Sequence, residues 1–183
     1  GFDIENSGGA RSASGAPLKP EESAQCEAGL RLSRGAFQGS LSAFQIERVN
    51  ALTADPDDPD FSLNVGRQRV RGLELQGDVQ LTRDWNVTAG YALLLSKITR
   101  SNDGDQGMRL GDVPRNGLTL RTAYGIPQHA LTLRAGLTHA SNRLLVNGSG
   151  TLLPAYTLLD AGASLKLGSV DVDLTLANLT DKR

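Results

Sequence analysis

The sequence has one cysteine, one methionine and one tryptophan in 183 residues, and aromatic residues make up only 4 %. A single cysteine excludes an internal disulfide and any multi-cysteine metal site. No continuous apolar run approaches the roughly 20 residues of a membrane helix, which excludes a helical span. The formal net charge of −1 offers no strong positive field to recruit phosphates, so nucleic acid is not an expected partner. Catalytic signatures are also lacking. His129 and His139 have no neighbouring serine or cysteine in a nucleophile motif, and the carboxylates are scattered along the chain, so no enzyme is expected. There is no initiator methionine and no signal peptide. The opening GFDIENSGGARSASGAP reads as the middle of a loop, and the chain is expected to be a piece of a longer protein.

What is present is alternation. Arg67 to Arg100 reads as two long strands joined by Thr82-Arg83-Asp84, a turn short enough only for an antiparallel hairpin. In the first, Leu73, Leu75, Val79 and Leu81 share one parity, and Glu74, Gln76, Asp78 and Gln80 the other. In the second, Trp85, Val87, Ala89, Tyr91, Leu93 and Leu95 alternate with a more polar set. A period of two gives each strand one apolar and one polar face. Both exceed the about 5–6 residues usual in soluble sheets, and a membrane barrel strand needs about 9–11. Further strands are expected at Gln25–Ser33, Ala36–Leu52, Arg115–Gly125, His129–Leu145, Ala155–Leu167 and Val170–Leu179. In the second of these the alternation inverts near Phe44 and Ile46, which suggests a bulge or the point where the strand leaves the membrane.

The connections alternate in length. Arg34-Gly35, Thr82–Asp84, Ile126-Pro127-Gln128 and Gly168-Ser169 are short; Thr53–Gly66, Ser101–Pro114 and Val146–Leu153 are long. Short turns on one side and long loops on the other are the habit of outer-membrane barrels, whose wall needs only one apolar face, in keeping with a hydrophobic content of 39 %. Charge placement agrees. Glu27, Arg31, Glu74, Asp78, Arg121, Arg134, Asp160, Lys166, Asp171 and Asp173 all take the polar parity. In a barrel that parity is the lumen, whereas a charge facing lipid near the midplane costs roughly 2–4 kcal/mol.

Five segments in order carry a resemblance: LKPEES at 18–23, RVRGLEL at 69–75, DVPRN at 112–116, LPAYTLLDAGASL at 153–165 and ANLTDKR at 177–183. Together they resemble the C-terminal barrel of TonB-dependent siderophore receptors, of the ferrichrome and ferripyoverdine receptor group, from Leu18 onward. The resemblance implies an all-β, antiparallel up-and-down transmembrane barrel, of which this chain holds about eight of roughly 22 strands. Residues 1–23 become an external loop segment and residues 24–183 part of the barrel, with the plug and the last strand missing. It implies a bacterial outer-membrane location and uptake of a ferric siderophore. That siderophore is cargo; no resident cofactor is implied. The implied partners are TonB, reached through the missing N-terminal part, and outer-membrane lipid and lipopolysaccharide. The aromatic content is thin for a family with girdles at both interfaces; Trp85, Tyr91, Tyr124 and Tyr156 remain, and Cys26 stands where the family usually has an aromatic.

Individual ligand-binding residues stay unknown at this point, with Phe44, Phe61 and Tyr156 the candidate wall contributors and no metal-binding or catalytic residue expected. Arg67, Arg69 and Arg71 share the parity of Leu73 and Leu75. They either contact lipopolysaccharide phosphates just above the apolar band or form a solvated strand end, and a bulge at Gly72 would turn them inward instead. TADPDDPD and NDGD offer oxygen ligands without the spacing of a calcium loop. The alternatives are a passive barrel such as a porin or autotransporter translocator, a TonB-dependent receptor for heme or cobalamin, and a soluble antiparallel β protein.

Overall fold

The computed structural model describes residues 12, 18–58, 60–147 and 150–182. Most of the expected opening loop, Pro59, Gly148, Ser149 and Arg183 lie outside the described residues. Among the described residues ten strands form in order: β1 Glu22–Arg34, β2 Phe37–Ala54, β3 Ser62–Thr82, β4 Trp85–Arg100, β5 Asn116–Ile126, β6 Leu131–Ala140, β7 Arg143–Leu144, β8 Leu152–Leu153, β9 Tyr156–Leu167 and β10 Val170–Leu176. Eight of them make one antiparallel sheet in the order β1-β2-β3-β4-β5-β6-β9-β10, and β7 with β8 forms a separate two-stranded ribbon. The barrel does not close here; β1 and β10 are the edges of the sheet.

The register joins the strands into rows that keep to one face. One row runs Arg34, Phe37, Val79, Val87, Thr122, Ala135, Ala161 and Leu176 across all eight strands. The neighbouring row runs Ser33, Gln38, Asp78, Thr88, Arg121, Gly136 and Asp160 on the other face. The ten charges singled out by parity all fall on that second face, the lumen side. Among the described residues nothing packs on the apolar face. Leu30, Leu41, Leu75, Leu120, Leu133 and Leu174 are exposed, and among the described residues only Ala51, Ile98 and Ala140 are buried hydrophobics. A soluble sheet cannot leave such a continuous apolar surface in water; a barrel wall gives it to lipid.

At the short-turn end the outward face carries aromatics. Trp85 and Tyr124 meet edge to face at 6.1 Å, and Trp85 Nε1 donates to Thr122 Oγ1 at 2.8 Å. Phe37 lies outward on the same row as Val79. This is one interfacial girdle, apolar rings with a polar handle. Tyr156 does not belong to it, because its register partner Ala140 lies on the inner face.

Four expectations need correction. The expected loop Thr53–Gly66 is only Asp55–Phe61, because β2 runs to Ala54 and β3 begins at Ser62. Above the membrane both faces meet water or neighbouring chain, so apolar alternation fades while backbone pairing continues. No bulge occurs at Phe44, which sits squarely opposite Gly72; the register shifts lie between Val49 and Thr53. The expected strand His129–Leu145 divides. Pro127–His129 forms a 3-10 turn closed by Ala130 at φ 47°, β6 ends at Ala140, and Arg143–Leu144 leaves to pair with Leu152–Leu153 in the expected third loop. The last strand stops at Leu176 rather than Leu179.

Candidate functional site

The inner face is a track of polar groups. Asp78 accepts from Thr88 Oγ1 at 2.7 Å and from Asn86 Nδ2 at 3.1 Å. Arg134 donates to Ser164 Oγ at 2.6 Å and pairs with Asp173 at 3.1 Å, and Ser164 also bonds Asp173. Thr88 lies directly across from Asp78 on the next strand, and Ser164 on β9 stands between Arg134 on β6 and Asp173 on β10, so the alternation gathers these groups on one face. Arg121, Arg134 and Asp160 line a groove of about 420 Å³ over Gly136 and Gly162, where glycine leaves the backbone uncovered. Arg31, Glu74 and Arg121 have no ion-pair partner among the described residues. An inner wall with uncommitted charges is built to meet water or another polar surface.

Higher on the same face the character changes. Phe44, Ile46, Val70 and Leu94 occupy luminal positions, Phe44 paired with Gly72 and Ile46 with Val70. The Phe44 ring lies on Gly72 so closely that a Cβ there would come within 2.3 Å of Cζ. Glycine thus makes the seat for the ring. The inverted alternation at Phe44 and Ile46, which suggested either a bulge or the strand's exit from the membrane, is the sequence signal of this inner apolar patch; the register excludes the bulge.

At the long-loop end three connections join into one rim. Ala54 N donates to Asp103 Oδ1 at 2.6 Å, tying the 55–61 loop to the 101–115 loop. Asp112 N donates to Leu144 O at 2.8 Å, Gly111 N to Asn147 Oδ1 at 2.7 Å, and Arg143 Nε to Asp112 Oδ1 at 2.6 Å. A Cβ at Gly111 would fall 2.5 Å from the Val146 carbonyl carbon, so only glycine lets the two loops touch. The Arg143 guanidinium lies 5.8 Å from the Tyr156 ring centre, on the lumen side of the rim.

Of the three candidate wall contributors, Phe44 and Tyr156 therefore face inward. Phe61 closes the base of the first loop beside β3, where its carbonyl accepts from Asp55 N and its amide donates to Asp58 O. The aspartates of the two loops do not converge: among the described residues no three acidic, histidine or cysteine groups could hold a metal ion. His129 lies in the turn before β6, and His139 points outward, its Nδ1 2.8 Å from Thr157 Oγ1, so they remain apart. Cys26 is exposed on β1. Arg69 and Arg71 lie outward, since the register with both β2 and β4 runs unbroken through Gly72.

The family model for the β-barrel of TonB-dependent receptor-like proteins matches residues 1–179. The chain is 31 % identical to the metal-pseudopaline receptor CntO of Pseudomonas aeruginosa over 92 % of its length, covering 25 % of that protein. It is 32 % identical to the probable TonB-dependent siderophore receptor PiuA of Acinetobacter baumannii over 91 % of its length, covering 24 %. The crystal structure of BauA, the ferric preacinetobactin receptor of Acinetobacter baumannii, superposes with a TM-score of 0.80 at 27 % identity, over 95 % of this chain and 28 % of that one. Fold and face chemistry define a segment of outer-membrane barrel wall. The chain belongs to the TonB-dependent receptor β-barrel family. It spans about a quarter of the length of the curated relatives it matches.

Proposed function

We propose that the receptor to which this wall belongs imports a ferric siderophore across the bacterial outer membrane, with energy delivered through TonB. What supports this is the identity of above 30 %, over more than nine-tenths of the chain, to proteins named as siderophore or metal-chelate receptors. The wall's part is passive. Its outer face holds the barrel in lipid. Its polar inner face gives a moving plug a wet contact, whose hydrogen bonds exchange with water at little net cost. The rim of three tied loops and the Phe44 patch stand at the end where cargo enters. The protein's work is then transport without catalytic chemistry, with membrane lipid and lipopolysaccharide as its outward neighbours.

The test is uptake of labelled chelates by iron-starved cells carrying or lacking the intact receptor. One relative is named for a metal–pseudopaline cargo, so the panel includes chelates of other metals. At least one ferric siderophore should enter only with the receptor present and only in cells with functional TonB. Entry that persists without TonB would mean a passive barrel and overturn the proposal. Selective uptake of heme or cobalamin instead would replace the cargo.

A further inference from the structure

The seam between the end of β2 and the 101–115 loop is the most enclosed place among the described residues. Ala51, Thr53, Asp55, Gly66, Ile98 and Asp105 are buried there, and elsewhere only Gly72 and Ala140 are. Three contacts close it. The bond from Ala54 N to Asp103 Oδ1, 2.6 Å, lays the start of the loop against β2. Ile98 N donates to Met108 O and Gly107 N to Ile98 O, which fastens the far side of the loop onto β4. Gly66 admits Ala51 so closely that a Cβ would fall 2.7 Å from the Ala51 carbonyl oxygen.

The seam encloses polar atoms that the protein leaves unanswered. Thr53 is 6 % exposed and Asp105 7 %. Thr53 Oγ1 and Asp105 Oδ1 are both buried and have no hydrogen-bond partner. They flank the bond that makes the seam, Thr53 one residue before Ala54 and Asp105 two residues after Asp103. Asp55 is buried beside them in sequence, its Oδ1 taken by Asp57 N at 3.0 Å. Residues 53–66 and 101–108 carry six aspartates and no lysine, arginine or histidine. None of the six is in an ion pair among the described residues. A buried carboxylate oxygen without a donor is costly unless a positive charge balances it. Only oxygen is offered here, and oxygen selects a hard cation.

We propose that this seam is a calcium site that clamps the 101–115 loop to the end of β2, with Asp105 Oδ1 and Thr53 Oγ1 as ligands. No three carboxylates meet among the described residues. Asp105 is therefore the charged ligand, neutral oxygens complete the shell, and the other loop aspartates supply the negative field around it. Calcium accepts an irregular oxygen set, whereas magnesium demands a near-ideal octahedron. A single charged ligand puts the affinity in the weak class of extracellular calcium modules, with a Kd of about 10⁻⁴–10⁻³ M. The inference rests on the long-loop end being the external one, and not on the cargo.

Calcium binding is measured by equilibrium dialysis on the intact receptor, refolded without lipopolysaccharide and stripped with chelator. D105N should lose one calcium equivalent relative to wild type, and T53V should weaken that equivalent about tenfold. D57N, at an exposed position of the neighbouring loop, should keep it. Magnesium at equal concentration should not displace it. Equal calcium binding in wild type and D105N overturns the site. A second readout needs no variant. Millimolar calcium should slow hydrogen exchange several-fold at the Ala54 and Met108 amides, which donate to Asp103 and to Asp105 O. Exchange that ignores calcium means that a buried water alone satisfies Asp105, and the proposal falls. Neither readout uses a siderophore, so either result leaves the transport reading untouched.

Discussion

The two halves of the sheet are level at one end and unequal at the other. At the short-turn end a single row crosses all eight strands beside the girdle of Phe37, Trp85 and Tyr124. At the long-loop end β3, with 21 residues, stands far above β6, with 10. At about 3.3 Å per residue that is roughly 70 Å against 33 Å. The tall half continues as paired strand beyond the apolar band and there presents cations outward. The short half stops at the band edge, and its chain turns into loops fastened by Asp112 and Arg143. One sheet therefore solves its external end in two ways, and the height of a residue decides what its face can carry.

Charge at the two heights gives the largest effect. Leu75→Arg, on the same face as the natural Arg69 but inside the band, should cost about 2–4 kcal/mol of barrel stability. Gln76→Arg, one residue away on the luminal face, should cost little. Denaturant titration of the intact receptor in lipid vesicles reads both, and equal costs would erase the distinction of faces. Next is the seat of Phe44. Gly72→Ala places a Cβ against the ring, and overpacking of this kind costs about 1–3 kcal/mol. Phe44→Ala in the same chain should recover most of it, a coupling that a double-mutant cycle would detect.

At the level end, Trp85→Ala removes the edge-on Tyr124 contact and the bond to Thr122. The aromatic contact itself is worth about 0.5–1.5 kcal/mol. The same titration measures it. Smallest is the rim. Arg143→Ala breaks an ion pair whose aspartate is largely exposed, so about 0–1 kcal/mol is expected. Hydrogen exchange at the Gly111 and Asp112 amides should nevertheless quicken, because their acceptors lie on the neighbouring loop. Unchanged exchange would show that backbone bonds alone hold the rim.

Within the membrane band the sequence was legible almost residue by residue. A face that must meet lipid and a face that must meet water impose period two on Leu73 to Val79 and on Leu131 to Leu137, and every expected luminal charge followed. Legibility ended where that pressure ended. The upper turns of β2 and β3 pair through their backbones with no apolar alternation to announce it. Phe44 and Ile46 obey an inner surface that is locally apolar, which parity alone reads as an irregularity. The Asp112–Arg143 pair joins residues 31 apart, and the two-residue strands of the β7–β8 ribbon are too short to show a period, so local pattern carries no trace of either. Arg67, Arg69 and Arg71 share a parity that the sequence shows, but Lys97 comes opposite Arg69 and Arg100 opposite Arg67 only through the register and its shift at Arg67.

The strand order has a consequence for how such a wall comes into being. Every strand of the large sheet pairs with its neighbour along the chain, apart from β9, which meets β6 across the small ribbon. Most of the pairing is therefore of low sequence separation for a β protein, and each new strand has only a single connection's closure entropy to overcome, a cost that grows slowly with loop length. Assembly can proceed hairpin by hairpin, with the latest strand always offering the template for the next. A wall of this kind can lengthen by duplicating hairpins without disturbing the pairs already made.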